Sequence, residues 1–200
     1  MEDKLSSLSE EKKKAIVNAA LEVFGTCEYK RASTDLIAAK AGISKGLLFY
    51  YFKNKKELYM YLFEYVFEKV GSRLLDSRFF EITDFFELLA YTTEKKARIL
   101  SDFPYLMEYS VRAFFTSRED VSEEMNSFMK NQIATMFEDY CKNVDMTKFR
   151  EDIEPREILH MLIWLTDGYM HQRMFYTDTV DADLLMQQFR KWSEMLKRIA

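Results

Sequence analysis

The stretch Ser33-Thr34-Asp35-Leu36-Ile37-Ala38-Ala39-Lys40-Ala41-Gly42-Ile43-Ser44-Lys45-Gly46-Leu47-Leu48-Phe49-Tyr50-Tyr51-Phe52 decides the fold. Ser33, Thr34 and Asp35 form an N-cap cluster, and Leu36, Ile37, Ala38 and Ala41 continue as a short helix. Gly42 ends that helix, because glycine takes a left-handed backbone without steric cost. Ser44 caps a second short helix from Lys45 to about Tyr51. Two short helices around a glycine turn, joined by small and aliphatic residues, make a helix-turn-helix. Leu48 and Phe52 are expected to pack inward. Six consecutive apolar or aromatic positions circle a helix, however, so some of the run from Leu47 to Phe52 must stay exposed. Lys45 sits in a first turn, where a cation opposes the helix dipole. That placement makes sense if the lysine faces phosphate or a guanine edge. Gly46 beside it lets a groove approach the backbone closely.

Outward from this motif the chain reads as helix throughout. Upstream, Ser7 and Ser9 with Glu10 and Glu11 open a helix whose apolar set is Ile16, Ala19, Ala20, Val23 and Phe24, ending near Thr26–Glu28. Downstream, Asn54 caps a long helix with Glu57 at the capping-box position, continuing through Leu58, Leu62, Tyr65 and Val66 towards Leu75. Further helices are expected near Thr83–Leu100, Asp102–Thr116, Arg118–Asn143, Pro155–Tyr176 and Ala182–Ile199, the last capped by Asp181. Pro104 and Pro155 fall near helix starts, where a missing N–H costs little. Only 5 Gly and 2 Pro occur in 200 residues, too few for many β-turns. The expectation is an all-α protein of about nine helices. A three-helix helix-turn-helix head, residues 1–56, joins through the long fourth helix to a larger ligand-binding and dimerisation body, residues 57–200.

Charge follows the same division. The chain carries −4 overall, yet residues 1–56 hold 11 Lys+Arg against 7 Asp+Glu, a net +4, and the remainder carries −8. A basic head on an acidic body suits a protein that meets a polyanion with one end. Cys27 and Cys141 are too few for a disulfide framework and lack metal-ligand spacing, so reduced thiols and no metal or cofactor are expected. His160 and His171 lie about 16 Å apart along a helix and cannot share one ion. A charged N-terminus without an apolar stretch, and no window near ~18 apolar residues, predict a cytoplasmic protein with no membrane partner.

The segment Ile43-Ser44-Lys45-Gly46-Leu47-Leu48-Phe49-Tyr50-Tyr51-Phe52-Lys53-Asn54-Lys55-Lys56-Glu57-Leu58 resembles the signature of the TetR (tetracycline-repressor) family of transcriptional regulators. Ala19-Ala20, Phe24, Tyr29, Ala32, Thr34, Ile37-Ala38 and Ala41-Gly42 fall where that family's pattern puts them. The motif match covers about residues 12–60; beyond, the likeness is in length and helical character. The resemblance implies a homodimer that binds a palindromic double-stranded DNA operator and is released by a small-molecule effector. It implies that Thr34 and Lys55 touch phosphate and that Lys45, Leu47, Tyr50 and Tyr51 face bases and phosphates, with Gly46 and Phe49 in the same surface. Phe49 stands where many members have tyrosine, which removes one hydroxyl contact. Glu28 stands where a glycine commonly ends the first helix. A left-handed backbone there would strain glutamate by about 1 kcal/mol.

Most of the 17 Phe, 12 Tyr and 12 Met lie beyond residue 56. Methionine and aromatic walls accept varied apolar or amphipathic ligands. Phe86, Met107, Glu108, Phe114, Asp167 and His171 are the expected effector residues. Glu108 and Arg112 stand at ion-pair spacing. Gly168, in mid-helix, costs about 1 kcal/mol against alanine, which close approach of a second helix would explain. It joins Met186 and Phe189 as the expected dimer contact, since by the resemblance the last two helices pair with their symmetry mates. The alternative is an all-α small-molecule-binding protein or enzyme. No Ser-His-Asp, paired-carboxylate or metal constellation supports catalysis, so an enzyme is not expected.

Overall fold

A computed structural model describes residues 8–115, 123, 127, 130, 138, 140–177 and 181–200. Nine α-helices occur among them and no strand. They are α1 (Glu10–Thr26), α2 (Thr34–Lys40), α3 (Lys45–Tyr51), α4 (Lys55–Leu74), α5 (Ser77–Glu81), α6 (Phe85–Asp102), α7 (Leu106–Phe115), α8 (Pro155–Thr177) and α9 (Ala182–Lys197). The helix expected over Arg118–Asn143 lies largely outside the described residues. So does the side chain of Phe114.

The helices start where the capping residues dictate. Ser9 Oγ accepts from Lys12 N at 3.4 Å, Ser33 Oγ from Leu36 N at 3.3 Å and Asp181 Oδ1 from Leu184 N at 3.0 Å. Each satisfies one of the N–H groups that a helix start leaves without an intrahelical acceptor. Asn54 Oδ1 likewise accepts from Glu57 N at 2.8 Å. The Glu57 carboxylate reaches one residue further back than the capping box requires, to Lys53 N at 3.3 Å. Pro155 opens α8, as its fixed φ favours.

Two compact units result. The first takes in the described residues of Met1–Lys69 and Phe103–Asn126, and the second those of Val70–Asp102 and Ser127–Ala200. In the first unit α1 packs against α2 and α7. Ile16, Ala19, Ala20, Val23 and Phe24 are all buried, together with Ile37, Ala38, Leu48, Phe52, Leu58 and Leu62. Tyr59 joins three aromatic neighbours, with ring centroids 4.9 Å from Phe24, 5.1 Å from Tyr29 and 5.2 Å from Tyr109. The buried Tyr109 hydroxyl donates to Tyr59 O at 2.8 Å, and burial holds its pKa well above the ordinary value.

Gly25 is the close-approach glycine of this unit. A Cβ built there would meet Tyr109 N at 3.1 Å, Glu108 Cβ at 3.2 Å and Tyr105 O at 3.3 Å. The Arg112 side chain crosses the same contact and donates from Nε to Gly25 O at 2.6 Å. Glu28 has φ −58°, so the strain anticipated for it does not arise. Helix α1 ends instead through an extended Cys27, φ −144°.

In the second unit α9 packs on α6 and α8. Phe79, Ile82, Phe85, Leu88, Leu89, Tyr140, Ile158, Leu159 and Leu162 form its core. Helix α5 is unforeseen: five residues are too few to show a period, and only its cap, Asp76, marks it. Asp76 accepts from Phe79 N at 3.0 Å and from the Tyr91 hydroxyl at 2.7 Å, and it pairs with Lys95. Hydrogen bonding from Lys95, then from Tyr91 and Phe79 N, lowers the Asp76 carboxyl to about 2.

Candidate nucleic-acid interface

The end of α2 shows why Gly42 stands in the turn. Its φ is +67°. Gly42 N donates to Ala39 O at 3.1 Å and Ile43 N to Ala38 O at 3.0 Å, the paired bonds of a Schellman ending. The chain then re-enters a helix two residues later, with Ser44 Oγ accepting from Leu47 N at 3.1 Å. Leu48 and Phe52 lie at 0% and 1% exposure, so α3 is anchored by one face. Its opposite face is open: Lys45, Gly46 and Tyr50 are exposed, and Leu47, Phe49 and Tyr51 are half-buried. Around Gly46 the nearest atom to a built Cβ is Ser44 Oγ at 4.0 Å. Tyr50, 56% exposed, rests edge-to-face on Tyr51 with centroids 5.2 Å apart. Thr34 is the first residue of α2, half-buried at a helix start whose N–H groups favour an anion.

The two lysines behave differently. Lys45 Nζ lies 2.9 Å from Asp35 Oδ2, an exposed pair across the turn that sequence spacing does not announce. Lys55 turns back onto the short 3-10 turn Tyr29–Arg31, donating to Tyr29 O at 2.6 Å and to Lys30 O and Ala32 O at 3.2 Å each. It also stands 4.5 Å from the Tyr29 ring centroid. An ammonium has three N–H groups. All three are engaged, so in the free protein Lys55 is a clamp rather than the open phosphate contact expected of it. A separation of 26 residues hides this partnership from any local pattern.

These features match known regulators. Residues 16–62 match the family described as bacterial regulatory proteins, tetR family. This segment belongs to the tetR family. Two Bacillus subtilis transcriptional regulators of helix-turn-helix type are also similar to part of the chain. YuxN is 35% identical over 66 residues and YhgD 39% identical over 56 residues, covering 33% and 28% of this chain. The matches span only 23% and 29% of those relatives' lengths. The Bacillus subtilis fatty acid metabolism regulator protein is 23% identical over 154 residues, 76% of this chain and 78% of its own. Among solved structures, the fatty acid degradation regulator FadR of Bacillus halodurans has a TM-score of 0.69 at 21% identity, over 90% of this chain and 97% of that one. FadR of Bacillus subtilis, solved with stearoyl-CoA, has a TM-score of 0.66 at 21% identity, over 90% and 96%. The chain therefore shares their all-α fold well beyond the tetR-family head.

The remaining expected site residues fall in different places. Met107, half-buried, and Glu108, buried, lie on α7 in the first unit. Phe86 lies in the second unit, edge-to-face with Phe85 at 5.3 Å and 6.2 Å from Phe149. Asp167 and His171 sit one turn apart on α8, half-buried and exposed, and burial raises the Asp167 carboxyl. Gly168 is exposed, and among the described residues nothing beyond its own helix backbone and chain neighbours lies within 4 Å of a built Cβ. Met186 is 9% exposed and Phe189 packs on the core of its own unit. The exposed apolar residues of α8 and α9 are instead Trp164, Leu165, Phe175, Tyr176, Leu184 and Met195. Cys27 and Cys141 are free thiols, the second raised to about 11 by burial. Among the described residues no group of three or more acidic, His or Cys side chains could hold a metal ion. No described helix is long and apolar enough to cross a membrane.

Proposed function

We propose that the protein is a ligand-responsive, DNA-binding transcriptional regulator, a homodimeric repressor that leaves its operator when an acyl-chain effector binds. The observation that carries this reading is the open face of α3. A helix fixed from behind by Leu48 and Phe52, and capped by Ser44, offers a lysine, a bare glycine and a projecting tyrosine to solvent. A major groove accepts such a helix. Lys45, Gly46, Leu47, Phe49, Tyr50 and Tyr51 meet the groove, and Thr34 meets phosphate at the start of α2. Lys55 serves the same end from behind by holding the Tyr29–Ala32 turn. The protein works in the cytoplasm and catalyses no reaction.

Two such helices, about one DNA turn apart, read a palindrome when the chain dimerises. The dimer contact lies on α8 and α9 at Gly168 and the exposed Trp164, Leu165, Phe175 and Leu184, while Met186 and Phe189 brace α9 against its own protomer. The domain limits are residues 1–56 for the head and 57–200 for the body. The effector is a long-chain acyl thioester, a reading supported by the likeness to FadR and by the aromatic and methionine content of the body. Of the expected effector residues, Phe86, Asp167 and His171, all of the second unit, are its proposed neighbours. Such a ligand acts only through its greater affinity for the DNA-incompetent state.

The test is a mobility shift on duplexes selected from a random-sequence library, followed by titration with stearoyl-CoA and with coenzyme A alone. Retarded duplex released by stearoyl-CoA and retained with coenzyme A is expected. A folded dimer that selects no duplex overturns the regulator reading. Complexes indifferent to stearoyl-CoA overturn the effector assignment alone.

A further inference from the structure

Asp35 and Lys45 lie in the first turns of the motif's two helices. Asp35 is the second residue of α2 after its Ser33 cap, and Lys45 the first residue of α3 after its Ser44 cap. Their side chains are 65% and 52% exposed, yet Oδ2 and Nζ meet at 2.9 Å. An ion pair that open to water adds little to folding, ~0–1 kcal/mol. A carboxylate on the surface that faces a polyanion also repels it. As a first-turn carboxylate Asp35 also complements the α2 N-terminus, but that role does not call for a bond to Lys45. We therefore propose that Asp35 is a positioning and specificity-determining residue for DNA recognition, aiming Lys45 at a base edge and restraining it from phosphate. This rests on the DNA-binding reading above.

Three physical steps lead to it. A lysine carries a compact charge on a flexible four-carbon stem, and alone it would settle on whichever phosphate is nearest. Pairing with Asp35 removes that freedom before DNA arrives, so less side-chain entropy is lost on docking. The ammonium keeps two further N–H groups, and guanine presents two neighbouring acceptors, N7 and O6, in the major groove. A nearly neutral pair also gains little from the phosphate field. Binding to wrong sequences is thereby weakened more than binding to the right one, which is what specificity requires.

The experiment uses the full-length protein, a duplex selected from a random library and a scrambled duplex of equal length. Affinities are followed by fluorescence anisotropy across a salt series. In Asp35→Asn, binding to the scrambled duplex tightens and its salt dependence steepens, by about 0.9 for each freed lysine that finds a phosphate. Binding to the selected duplex weakens, and the ratio of the two affinities falls about tenfold. In a Lys45→Ala background the same Asp35→Asn change leaves the ratio unaltered, because the group it acts through is gone. An unaltered ratio in Asp35→Asn, or an equal fall with Lys45 absent, overturns the inference while leaving DNA binding intact. A folded wild-type dimer that selects no duplex overturns the DNA-binding reading itself, and the inference with it.

Discussion

The Lys55 ammonium sits 2.6 Å from the Tyr29 carbonyl and 4.5 Å from the centre of the Tyr29 ring. It ties the start of α4 to the turn that precedes α2. With Lys30 O and Ala32 O each at 3.2 Å, its donors are filled. Lys55→Met keeps the stem and deletes the charge, leaving three carbonyls to water. We expect a loss of about 1 kcal/mol, or ~2–4 °C in Tm for a chain of this size. DNA affinity falls with it, but the salt dependence of that affinity stays as in the wild type. A slope lowered by about 0.9 per protomer would mark Lys55 as a phosphate contact instead.

Gly25 and Gly46 make opposite predictions for the same substitution. A methyl at Gly25 meets the backbone of Tyr109 in α7 at 3.1 Å and of Tyr105 just before it at 3.3 Å, neither of which is a flexible side-chain end. Overpacking costs about 1–3 kcal/mol, against a helix-propensity gain of about 1 kcal/mol. Gly25→Ala should therefore lower Tm. At Gly46 the space is open to 4.0 Å, so Gly46→Ala should hold or raise Tm while weakening DNA binding, since the methyl stands where the groove arrives. Thermal melts and mobility shifts on the two variants check both halves.

Much of the head was visible in the sequence because its determinants are local. Caps act over three residues, the Gly42 turn over six, and the apolar face of α1 repeats every three or four. Leu48 and Phe52 could be separated from Tyr50 by helix geometry alone. The long-range contacts could not. Lys55 with Tyr29, Arg112 with Gly25 and Asp35 with Lys45 join residues 26, 87 and 10 positions apart, and nothing local in the sequence records them. Gly168 stands out in the sequence because glycine weakens a helix, whereas nothing local marks the tight packing at Gly25. Met186 and Phe189 enter the expected dimer contact through the resemblance, which pairs the last two helices with their symmetry mates. An amphipathic helix has one apolar stripe, however, and α9 directs that stripe into its own unit.

Asp76 gives a pH signature. Its carboxyl lies at about 2 in the folded protein against 3.8 ordinarily, held down first by the hydrogen bond from Lys95. A depressed carboxyl contributes stability that is fully present above the unfolded value and lost as pH falls through the folded one. The Tm difference between wild type and Asp76→Asn should be constant from neutral pH down to about 3.8 and shrink between there and about 2. A difference already lost well above 3.8 would show that the Lys95 and Tyr91 bonds do not hold in solution.

Gly168 separates what the fold needs from what a dimer needs. Among the described residues, apart from its own chain neighbours and helix backbone, nothing lies within 4 Å of a methyl placed there, and the residue is exposed in the middle of α8. On intrachain grounds Gly168→Ala should stabilise the helix by about 1 kcal/mol. If a partner helix crosses at that point, the methyl instead holds the two backbones apart, and the gain becomes a loss that depends on protein concentration. The expected result is a raised monomer-to-dimer midpoint in sedimentation, with unaltered helicity. Tighter dimers, or no change in the midpoint, would move the interface off Gly168 and onto the exposed Trp164 and Phe175 alone.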